Sequence, residues 1–262
     1  VNETTVWVHG WHAVFGVLRY QPERVRRILL AANRQDRQQQ ECYERLANYP
    51  EIQPEIVPAA EFRGRFKAVH QGVAMLCVRS PEGGDRDLQA LLAGDRQCNW
   101  LFVVLDRTQD PRNLGACLRT ADAAGVHGVI IDRRRSAPLS PVAMKAASGA
   151  AGVVPLFRVA NLVRTMQGLK RHGIWLFGAD PLGGQELYDT ELHGPCALVL
   201  GAEGTGLRRL VRETCDVLMR IPMHGVASSL NLSVATAICA YEAVRQRRLS
   251  AAGAATAESD KA

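Results

Sequence analysis

A chain of 262 residues with 47% hydrophobic side chains is long enough to bury one large core or two ordinary ones, which excludes a disordered polymer or a disulfide-stapled miniprotein. The formal net charge of +6 points to a polyanionic partner, nucleic acid before membrane surface. Seven cysteines lie scattered without a C-x-x-C pair, mostly inside apolar runs, which argues against zinc and for buried thiols in a reducing compartment.

In chain order, Val6-Trp7-Val8 is an extended run and His12 to Tyr20 a helix with Ala13, Val14, Val17 and Leu18 on one face. Val25 to Ala31 is a strand and Gln35 to Ala47 a polar helix striped by Cys42, Leu46 and Ala47. Pro54 breaks the extended stretch Ile52 to Val57 and predicts an edge strand. A short helix, Ala59 to Phe66, and an apolar strand, Gly72 to Val78, complete a small α/β domain over 1–79. Residues 80–96 carry Pro81, Gly83 and Gly84 among polar side chains, the chemistry of a linker, with a short helix at Asp87 to Ala93.

Residues 97–249 form the second domain. Its strands are unbroken apolar runs at Trp100 to Leu105, Val129 to Ile131, Ile174 to Phe177 and Ala197 to Leu200. Runs without alternation predict burial on both faces, hence a parallel sheet covered by helices. Helices are expected at Leu114 to Ala124, Pro141 to Ala147, Leu162 to His172 and Asn231 to Arg248, with a further apolar run at Val217 to Ile221. Residues 250–262 have too little apolar bulk to pack and predict a disordered tail.

The turn after the first strand of this domain has neither the glycine fingerprint of a dinucleotide site nor a P-loop lysine. It offers Asn113 near a helix start and Arg119 further along, not on one helical face. Each has a plain alternative: Asn113 as an N-cap, Arg119 in a surface salt bridge with Asp122 or another acid. Two more loops follow strands, Gly201-Ala202-Glu203-Gly204-Thr205-Gly206 and Val226 to Asn231. Such loops at the carboxyl ends of parallel strands are the usual place for a ligand. Arginines cluster at Arg24-Arg26-Arg27, Arg63-Arg65-Lys67, Arg133-Arg134-Arg135, Arg208-Arg209 and Arg245-Arg247-Arg248, and their planar forks suit phosphate. His70, His127, His193 and His224 show no metal spacing, so no metal is expected.

Three stretches in register, Asp110-Pro111-Arg112-Asn113-Leu114-Gly115 to Asp122, Leu200 to Leu207, and Ile221-Pro222-Met223 with Ser228 to Ala235, resemble the three motifs of the SpoU family of RNA 2′-O-ribose methyltransferases, in the SPOUT superfamily. Val8-His9-Gly10 and Val69-His70-Gln71-Gly72-Val73 are similar to the RNA-binding domain that precedes many SpoU catalytic domains and itself resembles a ribosomal protein. The resemblance implies a parallel α/β sheet with a deep trefoil knot, and S-adenosylmethionine bound by the loops at Gly201, Ile221 and Leu230. It implies Arg119 as the key catalytic residue, assisted by Asn113, Glu203, Ser229 and Asn231. Ser229 and Asn231 could equally cap the last helix, and Glu203 could hold its loop in shape. The layout is most like family members that methylate a guanosine ribose in the P-site loop of 23S rRNA, and it implies a homodimer; the scattered thiols and the lack of a membrane-length apolar run predict a cytoplasmic protein. The alternatives are a SpoU enzyme acting on tRNA, or a non-catalytic RNA-binding protein of ribosome assembly.

Overall fold

The structure is a computed structural model that describes residues 5–20, 22–32, 37–66, 70–78, 82–94 and 98–259. Lys67, Val69 and the ends of the expected linker, 80–81 and 95–96, lie outside them. The chain divides into two compact units, Val1–Ser80 and Pro81–Ala262.

In the first unit the chain runs β1 (Thr5–His9), α1 (Trp11–Tyr20), β2 (Val25–Ala31), α2 (Arg37–Leu46), β3 (Pro54–Val57), α3 (Ala59–Arg65) and β4 (Val73–Val78). The four-stranded sheet has the order β1-β4-β2-β3. β2 and β3 are parallel, while β4 is antiparallel to both β1 and β2. β3 takes the edge that its opening proline predicts, since Pro54 has no N–H for a second partner strand. Alternation along β2 sends Leu29 and Ala31 to one face, where they pack with Val57, Phe62, Phe66 and Ala74.

The second unit contains α4 (Asp85–Gly94), β5 (Leu101–Asp106), α5 (Pro111–Ala123), β6 (Gly128–Asp132), α6 (Pro141–Ala147), β7 (Leu156–Val159), α7 (Leu162–Arg171), β8 (Trp175–Ala179), β9 (Gln185–Glu186), β10 (Cys196–Gly201), α8 (Arg209–Thr214), β11 (Val217–Arg220) and α9 (Leu232–Ser259). Its seven strands pair in the order β7-β6-β5-β10-β8-β11-β9, every pair parallel. The unbroken apolar runs have a two-sided cause. Leu101, Val103 and Leu105 of β5 face one core with Leu114, Leu118 and Cys239. Phe102 and Val104 face the other with Leu88, Met166 and Val211. Full burial of one such side chain contributes about 1.5–3 kcal/mol.

Two expectations fail here. The segment 80–96 is not a free linker in its described part: α4 sinks Leu88 and Leu92 into the second core, and the Gly83 N–H donates to the Leu156 carbonyl at 2.9 Å. The short helix itself was expected at Asp87 to Ala93; its packing into the second core was not, because the surrounding residues are polar or glycine. The tail is not disordered through its length, because α9 continues to Ser259. Residues 251–259 are mostly alanine, the best helix former, and they extend a helix already nucleated by packing.

Two further features position the site. Helix α5 begins at Pro111, three residues before the apolar stripe that predicts it, because Asp110 accepts from the Arg112 N–H at 2.8 Å and proline fits the first helical position. Gly115 lets α5 lie against α6: a Cβ there would run into the Ala143 carbonyl. From β11, beyond β8, the chain returns to place α9 against α5 and β10, with Cys117 and Thr236 in contact at 3.5 Å. A deep trefoil knot requires a crossing of this kind.

Candidate active site

The carboxyl ends of β8, β10 and β11 open onto one cavity of about 590 Å³. Gly201, Ile221 and Leu230, the three cofactor positions expected from sequence, all line it, together with Glu203 and Ser229. The loop after β10 closes on itself: Gly206 N–H donates to the Ala202 carbonyl at 2.9 Å. A Cβ on Gly201 would strike the backbone of Gly206 and Leu207, so glycine is required there for the loop to fold.

Side chains from all three motifs meet beside the cavity. Glu203 Oε1 accepts from Asn113 Nδ2 at 2.9 Å, from Asn231 Nδ2, and from the Leu232 N–H at 3.1 Å. Asn231 Nδ2 also reaches Asn113 Oδ1 at 3.1 Å. The Ser233 N–H and hydroxyl both donate to Asn231 Oδ1, at 2.9 and 2.6 Å. Asn231 therefore caps α9 and belongs to the cluster at once. Asn113 is no N-cap, since Asp110 holds that place on α5. Ser229 is exposed and lines the cavity, and among the described residues it makes no capping bond.

Arg119 is exposed on α5 and does not line the cavity. Among the described residues no ion pair holds it, so the salt bridge with Asp122 is not formed. Its side chain is open to solvent.

The sequence reading missed what fixes the loop. Asp106, fully buried at the end of β5, accepts from the Arg208 backbone N–H at 2.9 Å and from Arg208 Nε at 2.7 Å. Arg208 also reaches Asp132, at the end of β6, at 3.2 Å. Burial works against the Arg208 charge, but the bonds and charges of Asp106 and Asp132 outweigh it and raise its pKa. Arg107, at φ 62°, donates to Thr205 Oγ1 at 3.0 Å and to the Gly206 carbonyl at 3.2 Å. The available signal was an acidic residue ending each of two strands with an arginine just past a glycine loop.

Several arginine clusters prove structural. Arg24 donates to the Val78 carbonyl, Arg27 pairs with Glu55 at 2.7 Å, and Arg247 donates to the carbonyls of Asn99, Trp100 and Gly194. Arg133, Arg134 and Arg135 remain exposed at the carboxyl edge of the sheet, next to β5. Burial pushes the thiols of Cys117 and Cys239 up to about 11 and about 12, so they are inert packing groups. Among the described residues no group of His, Cys, Asp and Glu could hold a metal ion, and no helix is long and apolar enough to cross a membrane.

Comparison with known proteins agrees with this geometry. Residues 100–241 match the model of the SpoU rRNA Methylase family, and residues 7–82 match that of RNA 2′-O ribose methyltransferase substrate binding. The 23S rRNA (guanosine-2′-O-)-methyltransferase RlmB of Pseudomonas putida is 43% identical over 242 residues, covering 92% of this chain and 97% of the relative. The SpoU methyltransferase AviRb of Streptomyces viridochromogenes, solved with AdoMet, is 25% identical with a TM-score of 0.59 and covers 93% of this chain and 90% of its own. A TrmH/SpoU tRNA modifying enzyme of A. aeolicus, 27% identical with a TM-score of 0.53, covers 86% of its own chain but only 63% of this one. With side chains from three separated motifs meeting beside one cavity and both family models matched in order, the chain belongs to the SpoU rRNA methylase family.

Proposed function

We propose that the chain transfers a methyl group from S-adenosylmethionine to the ribose 2′-hydroxyl of a guanosine in 23S rRNA, in the P-site loop, as a cytoplasmic homodimer. The observation that carries this reading is the meeting of Asn113, Glu203 and Asn231, one from each motif, beside the cavity lined by Gly201, Ile221 and Leu230. The cavity fits the cofactor: about 590 Å³ lies within the roughly 300–1,000 Å³ of small-molecule sites, and its walls combine Leu200, Ile221 and Leu230 with loop backbone. S-adenosylmethionine bound there supplies a methyl group on a positively charged sulfur.

The chain's own residues then have distinct tasks. Backbone groups at Gly201, Ile221 and Leu230 hold the nucleoside of the cofactor. Asn113, Ser229 and Asn231 orient the substrate ribose, and Glu203 fixes both asparagines. Arg119 lies about 9 Å along α5 from Asn113, at 1.5 Å per residue, so the RNA backbone spans the mouth of the helix between them. A guanidinium does not give up its proton in a protein, so Arg119 is not the base. It grips a phosphate and stabilises charge developing on the 2′-oxygen, while the proton passes to the substrate phosphate or to water.

Whole-chain coverage favours rRNA over tRNA: the RlmB relative covers 92% of this chain, the tRNA-modifying structure 63%. The first unit and the exposed Arg133–Arg135 edge are assigned to RNA binding. The dimer rests on α9, which leaves Val234 46% and Tyr241 50% exposed on one helical face. Incubation with tritiated S-adenosylmethionine and undermethylated 23S rRNA or tRNA, in parallel, tests the substrate. Label is expected in 23S rRNA alone. Label in tRNA alone contradicts the assignment, and label in neither supports a non-catalytic RNA-binding protein.

A further inference from the structure

Three charged side chains line the cavity: Asp180, Glu203 and Arg212. Glu203 is engaged with Asn113, Asn231 and the start of α9, which leaves Asp180 as the second carboxylate on the wall. Asp180 follows β8 directly, and its placement is fixed on four sides. Its N–H donates to the Met219 carbonyl of β11 at 2.9 Å, and its carbonyl accepts from the Gly183 N–H at 2.9 Å. Its Oδ1 accepts from the Leu182 N–H at 2.8 Å, and its Oδ2 lies 2.9 Å from Arg212 Nε, with 12% of the side chain exposed. A carboxylate has about four acceptor positions, so these two side-chain contacts leave capacity for a ligand in the cavity that Asp180 lines.

Resting on the reading of this cavity as the S-adenosylmethionine site, we infer that Asp180 accepts a hydrogen bond from a ribose hydroxyl of the cofactor, and that Arg212 is the positioning residue that holds it. Three arguments converge. Ligands of open parallel sheets sit off the carboxyl ends of the strands, and in dinucleotide-binding sheets an acidic side chain reads the ribose hydroxyl there, the chemistry that Asp180 offers at the end of β8. The Asp180 carboxylate is 12% exposed, and Arg212 Nε lies against only one of its oxygens, Oδ2, at ion-pair distance. The alternative, a plain tie between α8 and β8, needs no place on the cavity wall, yet both members line it. The ammonium of the cofactor's amino-acid end is the other donor that a carboxylate could meet, and the test separates the two.

Calorimetric titration of S-adenosylmethionine, 5′-methylthioadenosine, and the 2′-deoxy and 3′-deoxy forms of the latter decides the matter. The wild-type chain should bind at least one deoxy form at least about tenfold more weakly than 5′-methylthioadenosine, the loss of one charge-assisted hydrogen bond. In Asp180→Ala the three nucleosides should bind within about twofold of one another. Asp180→Asn, which keeps the acceptor of the tight turn, serves if the alanine variant does not fold, and should reduce the deoxy penalty. An unchanged deoxy penalty in the variants, or none in the wild type, overturns the inference. So does a loss confined to S-adenosylmethionine with 5′-methylthioadenosine unaffected, which would place the amino-acid end at Asp180. Failure of the wild type to bind S-adenosylmethionine at all contradicts the reading of the cavity itself, a result distinct from the others.

Discussion

One oxygen of Glu203 receives two asparagine side chains and a backbone N–H, so that carboxylate is a hub. Its donors come from α5 and the start of α9, which lie far apart in sequence. Sequence could name Asn113, Glu203 and Asn231 as candidates, but not that they touch, because their contact depends on the path of α9 back to α5. Arg119 stands apart from the hub, exposed and without an ion pair among the described residues. Its removal should therefore spare the cofactor and disable the chemistry. Arg119→Ala is expected to bind S-adenosylmethionine within about twofold of wild type while kcat falls at least about 100-fold, as for loss of a transition-state donor. Steady-state kinetics beside calorimetry checks this, and turnover near wild type would contradict it. Gly201 behaves oppositely. Gly201→Val must displace the Gly206–Leu207 backbone and should weaken cofactor binding at least tenfold, about 1.4 kcal/mol. Unchanged calorimetric affinity would show that the loop is not the cofactor wall.

At the scale of elements, the ends of β5 and β6 present Asp106 and Asp132 to a single arginine from the segment after the glycine loop. The pair is costly to break because Asp106 is fully buried. Arg208→Met would leave that carboxylate without its cation and should destabilise the second unit by about 3–5 kcal/mol, read from urea unfolding. A loss under about 1 kcal/mol would mean that the clamp is dispensable. The strands β5, β6 and β10 were legible because two-sided burial writes continuous apolar runs. β7, a four-residue strand at the sheet edge after Pro155, offers too short a run to stand out. The true start of α5 was written as Asp110-Pro111, a capping signal, while the apolar stripe by which it was placed begins later. Helix α4, by contrast, matches the short helix expected at Asp87 to Ala93, and only the burial of Leu88 and Leu92 in the second core was not legible.

For the molecule as a whole, composition gave the right class but not the use of the charge. Much of the arginine excess is bound internally, as Arg24, Arg208 and Arg247 show, leaving edges such as Arg133–Arg135 exposed. The proposed dimer is checked by light scattering coupled to gel filtration. A mass twice that of the chain is expected, and a monomer at micromolar concentration would remove the explanation for exposed Val234 and Tyr241. The central claim, a methyl group on the 2′-oxygen of a guanosine, has a direct chemical test. Alkali cleaves RNA through attack of the free 2′-hydroxyl on the neighbouring phosphate, so a 2′-O-methylated linkage survives. After transfer of a tritiated methyl group to 23S rRNA and complete alkaline hydrolysis, the label should reside in an alkali-stable dinucleotide whose 5′ nucleoside is guanosine. Label recovered in mononucleotides, as from base methylation, would contradict the account.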